Sequence, residues 1–161
     1  MIRPQPKPVS PLSRLHNIDA ERAVLGSILI EGTEAFDRVA AVLLPEDFYL
    51  EKHRVIYRAM LGLRDQGSPI DLITVAEWLQ RTGTMAFCGG HGVLALLVEF
   101  SSIYAHLMSY VKIVQEYGVS REVVQQATAL ISSIHEAQSF HDQVLRVRAM
   151  TWYLRSRGID G

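Results

Sequence analysis

The chain has 161 residues, a net charge of −1 and a single cysteine, Cys88. Its length allows one hydrophobic core, and the lone cysteine excludes an internal disulfide framework and fits a reducing cytoplasm. Residues 93–98 form one of the most apolar stretches, but this stretch is far shorter than the roughly 20 residues that span a membrane. Residues 1–11 lack the apolar segment of a secretory signal. We therefore expect a cytoplasmic protein without membrane contact.

The small net charge hides an uneven distribution along the chain. Residues 1–15 carry three basic residues and no acid, which gives +3, and residues 139–161 carry four arginines against two aspartates, which gives +2. Because the total is −1, residues 16–138 must hold −6. An acidic body is a poor platform for phosphate contacts, so we expect little direct DNA binding.

The N-terminal segment, residues 1–16, contains four prolines and little that a core could bury. We predict a flexible, extended arm there. From Ile18 the apolar spacing becomes helical, and Asn17 or Asp19 can cap the start of the helix. Gly26 inside this first helix suggests that another helix crosses closely over it.

Two further helices are predicted before residue 66. Thr33 is expected to cap the first of them, whose buried side is formed by Phe36, Val39, Ala40 and Leu43. A turn at residues 45–47 then presents Phe48 and Tyr49 to the core. The next helix, about residues 52–65, turns one face inward, formed by His53, Ile56, Tyr57, Met60 and Leu63.

Asp71 stands where an N-cap is expected for a helix over residues 72–80. The inward residues of that helix are predicted to be Ile73, Val75, Ala76 and Leu79. Glycines flank residues 85–88, which predicts a short loop there. The strongly apolar residues 92–100 predict a fifth, central helix.

The longest predicted element is a helix over residues 103–134. Its heptad positions hold mainly apolar or aromatic side chains: Ile103, His106, Tyr110, Ile113, Tyr117, Ser120, Val124, Ala127, Ile131 and Ile134. Such a stripe cannot cover its own seam and needs a second helix, from this chain or another. Gly118 is the one local sign of a break. The phase is unbroken on both sides, so we predict one helix.

A last helix over about residues 142–155 can pack back onto the long one through Val144, Val147, Trp152 and Leu154. The predicted fold is therefore all-α, with a globular head of five helices (about 18–100) followed by a long helical hairpin (about 103–157). No alternation with a period of two lasts long enough to predict a sheet.

Catalytic, cofactor and metal sites are not expected in this chain. It has no Gly-Lys pair, so the phosphate-binding motif G-x-x-x-x-G-K-[ST] is absent. His91 lies three residues from Cys88, but no second pair completes a tetrahedral metal site. His53 could serve as an acid or base, yet its helical spacing favours a half-buried packing residue bonded to a backbone group.

Several motifs, in order, resemble one family. Residues 16–21 (HNIDAE, with Glu21) precede Val-Leu-Gly26, and Asp47-Phe48-Tyr49 precedes a block that begins at His53. The most specific match is residues 67–77, GSPIDLITVAE, which contain Pro69, Asp71 and Thr74; Gly89-Gly90 and Tyr110 follow. Together these motifs resemble the N-terminal domain of DnaB-type bacterial replicative helicases, with residues 17–136 as the domain.

The resemblance implies a head and a hairpin, where hairpins of two subunits pair and three pairs build the collar of a hexameric ring. It also implies primase docking on the collar, and contact with a helicase loader is a further possibility. ATP and Mg²⁺ would belong to a separate C-terminal domain that drives 5′–3′ unwinding. By position, the family's subunit contact surface corresponds to Tyr110, Ile113, Tyr117, Val124, Ala127, Ile131 and Ile134.

The chain departs from the family pattern in two places. His106 stands where the family usually has an asparagine, and residues 144–161 lack the acidic Leu-Ala-Glu character of the second hairpin helix. That segment is a divergent second helix, the start of an interdomain linker, or foreign sequence. The alternative function is that of a stand-alone DnaB-like regulator, of bacterial, phage or plasmid origin, that joins or inhibits helicase rings or sequesters primase.

Overall fold

A computed structural model describes residues 15–101, 106–135 and 139–157 of the chain. Every regular element in these ranges is helical, as the sequence predicts. The helices are α1 (Ile18–Glu31), α2 (Thr33–Ala40), α3 (Glu51–Asp65), α4 (Leu72–Arg81), α5 (Met85–Cys88), α6 (His91–Ser101), α7 (Leu107–His135) and α8 (Phe140–Ser156), with a 3-10 turn at Pro45–Asp47.

The chain divides into two compact units at Val119/Ser120, named here the head unit and the hairpin unit. The head unit holds the hydrophobic core, in which Phe36 and Phe48 lie on either side of Tyr57, with ring centroids 5.3 and 5.0 Å away. All three rings are fully buried. The Tyr57 hydroxyl donates to the Leu43 carbonyl at 3.1 Å, so the one polar atom of the cluster is satisfied.

Gly26 brings α1 and α6 into close contact, as the sequence predicts. A Cβ at this position would collide with the carbonyl oxygen of Leu97 and the hydroxyl of Ser101. The Ser101 hydroxyl in turn donates to the Ala23 carbonyl at 3.1 Å. Glycine is therefore required here by space rather than by backbone conformation.

Helix caps explain several boundaries. Asn17 caps α1 by accepting from the Ala20 amide, and Asp71 caps α4 by accepting from Ile73 and Thr74. The expectation that Thr33 caps α2 is wrong, because Gly32 is the residue before the helix. The Thr33 hydroxyl instead accepts from the Ile70 amide at 3.1 Å, which ties the start of α2 to the loop before α4.

Two details of α4 and α5 differ from prediction. Residues 85–88 form a one-turn helix rather than a loop, because Met85 and Cys88 are both drawn into the core. Ile73 is 76% exposed rather than inward. Since α4 buries Val75 and Leu79, a residue two positions before Val75 lies on the opposite side of the helix.

α2 buries Phe36 and Val39, as predicted. Ala40 is only half-buried, and Leu43 is buried but lies beyond the end of the helix.

The last head helix, α6, is less central than its composition predicts. It buries Leu94 and Leu97 but leaves Leu96 62% exposed. Its apolar surface therefore extends beyond the core.

α7 is continuous through Gly118, as predicted, but begins at Leu107 rather than at residue 103. His106 is exposed and non-helical, and its carbonyl accepts from the Tyr110 amide; Ile103 lies outside the described residues. The face buried in the head unit holds Leu107, Val111 and Val114, one position after the predicted stripe. Gly118 explains this rotation, because it lies against Asp47 and must face the head.

The hairpin unit contains residues 120–135 of α7 and all of α8. Ser139 caps α8 by accepting from the Asp142 amide at 3.2 Å. No residue of α8 is buried. The expected packing of Val147 and Trp152 is therefore wrong for this chain alone, since they are 47% and 72% exposed; Val144 and Leu154 are half-buried.

The predicted N-terminal arm, residues 1–16, falls almost entirely outside the described residues. Its last residue, His16, stacks on Tyr49 with ring centroids 4.3 Å apart and an angle of 15° between the planes. His16 therefore packs on the head unit, and the flexible arm over residues 1–16 stays a prediction.

Candidate interaction surfaces

Glu21 is the centre of a buried polar cluster in the head. Its carboxylate accepts from the Tyr49 amide at 2.6 Å and the Leu50 amide at 3.4 Å, and it bonds the Nδ1 atom of His53 at 2.7 Å. Glu21 and His53 are 1% and 2% exposed. This carboxylate fastens α1 to the start of α3, and each of its hydrogen bonds is charge-assisted.

His53 therefore differs from its predicted role. It is fully buried rather than half-buried, and its ring bonds a carboxylate 32 positions away instead of a neighbouring backbone group. Sequence reasoning missed this partner because both residues were read only within their own helices. The available signal was a glutamate placed among the buried apolar positions of α1.

Asp47 is the second buried acid of the head and lies against α7. Its carboxylate accepts from the Leu44 amide at 2.7 Å, and the side chain is 3% exposed. A Cβ on Gly118 would come within 2.5 Å of Asp47 Oδ1 and 2.7 Å of its Cα. Gly118, predicted as a possible helix break, is thus the close-packing point between α7 and the 3-10 turn.

The remaining family-motif residues also have structural roles. Phe48 lies in the core and Tyr49 is half-buried against His16. Asp71 and Thr74 form a reciprocal capping box, next to Pro69 in the preceding loop. Gly89 and Gly90 have φ of 105° and 77°, which only glycine adopts without strain. These motifs build the head and bring no reacting groups together.

The candidate catalytic groups lie apart from one another. Cys88 is buried in the core, and burial raises the pKa of its thiol, which disfavours the reactive thiolate. His91 is exposed at the start of α6. Within the described ranges, no three His, Cys, Asp or Glu side chains are grouped so that they could hold a metal ion.

The predicted seam residues in the head unit line its surface beside the buried face of α7. Tyr110, Ile113 and Tyr117 are each half-buried. Tyr110 and Ile113 face α1 across a small cleft of about 110 Å³, together with Ala20 and Phe100. These side chains are partly covered within the head and partly open to another molecule.

The predicted seam residues in the hairpin unit are more open. Val124 and Ala127 are half-buried and Ile131 is 60% exposed; the side chain of Ile134 lies outside the described residues. α8 adds four large apolar side chains that are 47–81% exposed, namely Phe140, Leu145, Val147 and Trp152. The hairpin unit thus leaves several large apolar side chains exposed.

A cleft of about 380 Å³ separates the two helices of the hairpin unit. Its α7 side carries Glu122, Gln126, Ala129 and Leu130, and its α8 side carries Arg146, Ala149, Met150, Trp152 and Tyr153. The lining is mainly apolar and includes one acid and one base. A cleft of this composition suits the side chains of another helix better than a small polar metabolite.

None of the helices in the described ranges combines the length and apolar character needed to cross a bilayer.

Comparison with known proteins relates most of this chain to one protein family. Residues 13–116 match the family model described as the DnaB-like helicase N terminal domain. The replicative DNA helicase DnaC of Bacillus subtilis (strain 168) is 39% identical over 114 residues, which cover 71% of this chain and 25% of that protein. DnaB of Pasteurella multocida is 34% identical over 120 residues, covering 74% and 26%. The chain spans about a quarter of the length of these relatives.

Solved structures share the fold. The N-terminal domain of DnaB helicase from Mycobacterium tuberculosis superposes with a TM-score of 0.77 and 30% identity, over 85% of this chain and 97% of that domain. A DnaB-like replicative helicase, solved in a study of its interactions with primase, gives a TM-score of 0.71 and 26% identity, over 90% of this chain and 33% of that one.

Proposed function

The chain belongs to the family of DnaB-like helicase N-terminal domains, and we propose that it acts as the collar of a replicative DNA helicase, pairing with further copies of itself and binding primase. In this proposal the segment is non-catalytic and holds no cofactor. ATP hydrolysis with Mg²⁺ and movement on DNA belong to a C-terminal domain of the parent helicase. Three such pairs would then form a hexameric collar.

The observation that carries the proposal is the exposed apolar surface of the hairpin unit. Trp152 and Phe140 are 72% and 81% exposed, and Ile131 is 60% exposed. Complete burial of one such side chain stabilises a complex by about 1.5–3 kcal/mol, whereas association itself costs at least about 4 kcal/mol. Several of these residues buried together are therefore sufficient to drive pairing.

The seam residues support the same proposal. Val124, Ala127 and Ile131 lie at heptad spacing along the hairpin part of α7, which is the spacing by which helices interlock. Tyr110, Ile113 and Tyr117 continue that spacing along the head part of the same helix. We assign these residues, together with Ile134, to the surface between subunits.

Primase is the second proposed partner. Support comes from the structural relative that was solved with a view to its interactions with primase. A helicase loader is a further proposed partner of the same collar. Either partner, if it binds paired hairpins more tightly than single chains, would also shift the equilibrium from single chains toward pairs.

Self-association is tested by sedimentation velocity across the micromolar range. We expect a reversible monomer–dimer equilibrium for the wild-type chain, and a monomer for Trp152→Glu, because pairing through the exposed apolar surface of the hairpin unit would bury the new charge without a partner. Ile73→Glu is the matched control, since Ile73 is 76% exposed on the head. A wild-type chain that stays monomeric throughout contradicts pairing.

Primase binding is tested separately by biolayer interferometry with an immobilised bacterial primase. We expect saturable binding to the wild-type chain. If primase binds only paired hairpins, its binding to the Trp152→Glu variant should be weaker. Equal binding of both forms assigns primase to a surface that does not need pairing. No binding at all contradicts the primase part of the proposal and leaves the self-association result unaffected.

A further inference from the structure

A second cleft lies in the head unit, where α1, α3 and α6 meet. Its volume is about 260 Å³. Arg22 and Lys52 contribute its charges, His53 its buried polar group, and Val93, Leu96 and Phe100 of α6 an apolar wall. We call this set of residues the α1–α6 cleft.

Both formal charges that line the α1–α6 cleft are positive. Lys52 has no carboxylate partner among the residues that the structure describes. Among the described residues, Arg22 has a long and exposed contact with Asp19, at 3.4 Å, and its guanidinium lies 6.0 Å from the centre of the Phe100 ring. Exposed pairs of this kind contribute little, so both cations are available to an anion at modest cost.

His53 gives the cleft a fixed polar group. The ring is fully buried, and Glu21 holds its Nδ1 atom at 2.7 Å. No group in the described part of the chain bonds Nε2, which lies on the ring edge opposite Glu21. A neutral ring with its proton on Nδ1 accepts at Nε2 from a peptide N–H, and a protonated ring donates from Nε2 to a carboxylate.

The apolar wall is open at Leu96. Leu96 is 62% exposed, and Val93 and Phe100 are half-buried. These residues follow one another at spacings of three and four on α6, so they form one continuous strip. A bare inorganic anion would leave that strip in water, whereas a ligand with an apolar body would cover it.

We propose that the α1–α6 cleft binds a short acidic peptide segment, in which an aspartate or glutamate carboxylate lies next to a large apolar side chain. The carboxylate pairs with Lys52 and Arg22, a peptide N–H meets His53 Nε2, and the apolar side chain lies on Leu96 and Phe100. Two acids lie close to the cleft: Asp19 is 3.4 Å from Arg22, and the Glu21 carboxylate bonds His53 and the Tyr49 and Leu50 amides. Lys52, which has no carboxylate partner among the described residues, is therefore the main positive charge of the site, and the more distant acids are screened beyond about 8 Å at physiological salt.

This binding differs from hairpin pairing in place and in chemistry. All residues of the α1–α6 cleft belong to the head unit, and Trp152 belongs to the hairpin unit. Variants that abolish self-association are expected to leave the peptide affinity unchanged. The two proposals can therefore fail independently.

The test is a ¹H–¹⁵N NMR titration of the full chain with the peptide acetyl-Leu-Glu-Leu-amide. We expect saturable shifts that centre on the amides of Lys52, His53, Val93 and Leu96. Acetyl-Leu-Gln-Leu-amide, which differs only in charge, should bind about tenfold more weakly, the loss expected for one charge-assisted hydrogen bond. Equal affinities for the two peptides, or no saturable shifts at these amides, overturn the proposal.

Substitutions locate the site. Lys52→Gln should weaken acetyl-Leu-Glu-Leu-amide about tenfold, and Leu96→Ser should weaken both peptides alike. The matched controls are Lys112→Gln on the exposed side of α7 and Ile73→Ser on α4, which should change neither affinity. Thermal unfolding confirms that each variant is folded. A Lys52→Gln chain that binds as tightly as the wild type overturns the assignment.

Inorganic phosphate provides the last arm of the test. The proposal predicts that phosphate shifts Lys52 and Arg22 weakly and leaves Leu96 unmoved. If phosphate binds more tightly than the acidic peptide, the cleft is an oxyanion site and the peptide assignment is wrong.

Discussion

The head unit and the hairpin unit differ in the burial of their large side chains. In the head, Phe48 and Tyr57 are fully buried, and the charged group Glu21 has a partner for each oxygen. In the hairpin unit, α8 buries no residue and Trp152 is 72% exposed. The head therefore buries its large side chains in its own contacts, whereas the hairpin unit leaves its large apolar side chains exposed.

This contrast distinguishes folding residues from association residues without reference to motifs. The family motifs fall almost entirely in the head, where they cap helices, fix turns and fill the core. The surfaces proposed for partners lie where the chain leaves apolar groups uncovered. Substitutions in the two regions should consequently differ in which measurement they change.

The sharpest test compares one aromatic residue from each unit. Phe48→Ala should lower the free energy of unfolding by about 3–5 kcal/mol, since it opens a cavity in a close-packed core. Trp152→Ala should change it by less than about 0.5 kcal/mol at low protein concentration. Urea denaturation of both variants measures the difference. Similar losses for the two variants would show that the hairpin unit is packed like a core.

The buried acid of the head gives the next largest effect. Glu21→Gln keeps the size of the side chain but places an NH₂ group among donors, so we expect a loss of about 3 kcal/mol in the free energy of unfolding. Glu34→Gln is the matched control, because Glu34 is exposed in the first turn of α2. Chemical denaturation at neutral pH measures both. A loss no larger than that of the control would show that the cluster contributes little.

Two glycines in helices should respond to alanine with opposite signs. Gly118→Ala should destabilise the chain by about 1–3 kcal/mol, because the new methyl group meets the side chain and the backbone of Asp47. Gly92→Ala meets no atom within 4 Å and should stabilise α6 by up to about 1 kcal/mol. Thermal unfolding compares them. A stabilised Gly118→Ala chain would contradict close packing at that point.

The smallest expected effect is a dependence of stability on alkaline pH at Cys88. Burial raises the pKa of this thiol in the folded chain, so the folded state holds its proton to higher pH than the unfolded state. The associated stability is complete below the ordinary thiol pKa of about 8.5 and falls as pH rises above it. Denaturation at several pH values should show a shallower decline for Cys88→Ala. An unchanged slope would mean that the thiol is not involved.

Local signals predicted much of the fold. Asn17 and Asp71 cap helices as their sequence contexts indicate, and Gly26 marks a helix crossing. The inner face of α3 is buried at all five predicted positions. The caps and the buried face of α3 depend on neighbours within one or two helical turns. The helix crossing depends on glycine, the residue without a side chain.

The failures have a common physical cause, which is contact between distant parts of the chain. The bond between His53 and Glu21 joins α3 to α1, and the rotation of α7 follows from Gly118 meeting Asp47. Heptad spacing locates the stripe of α7 but cannot give its phase against the head to better than one residue. Likewise, the exposure of Ile73 follows from the rotation of α4, not from its own apolar side chain.

α7 is one uninterrupted helix that belongs to both units, and this has a consequence for hydrogen exchange. Its 29 residues extend over roughly 43 Å at 1.5 Å per residue. Amides in residues 107–119 should exchange only when the head unfolds, whereas those in residues 120–135 should exchange through local opening. A single helix would thus show a step in deuterium uptake just after Gly118. Association through the hairpin would move that step toward His135.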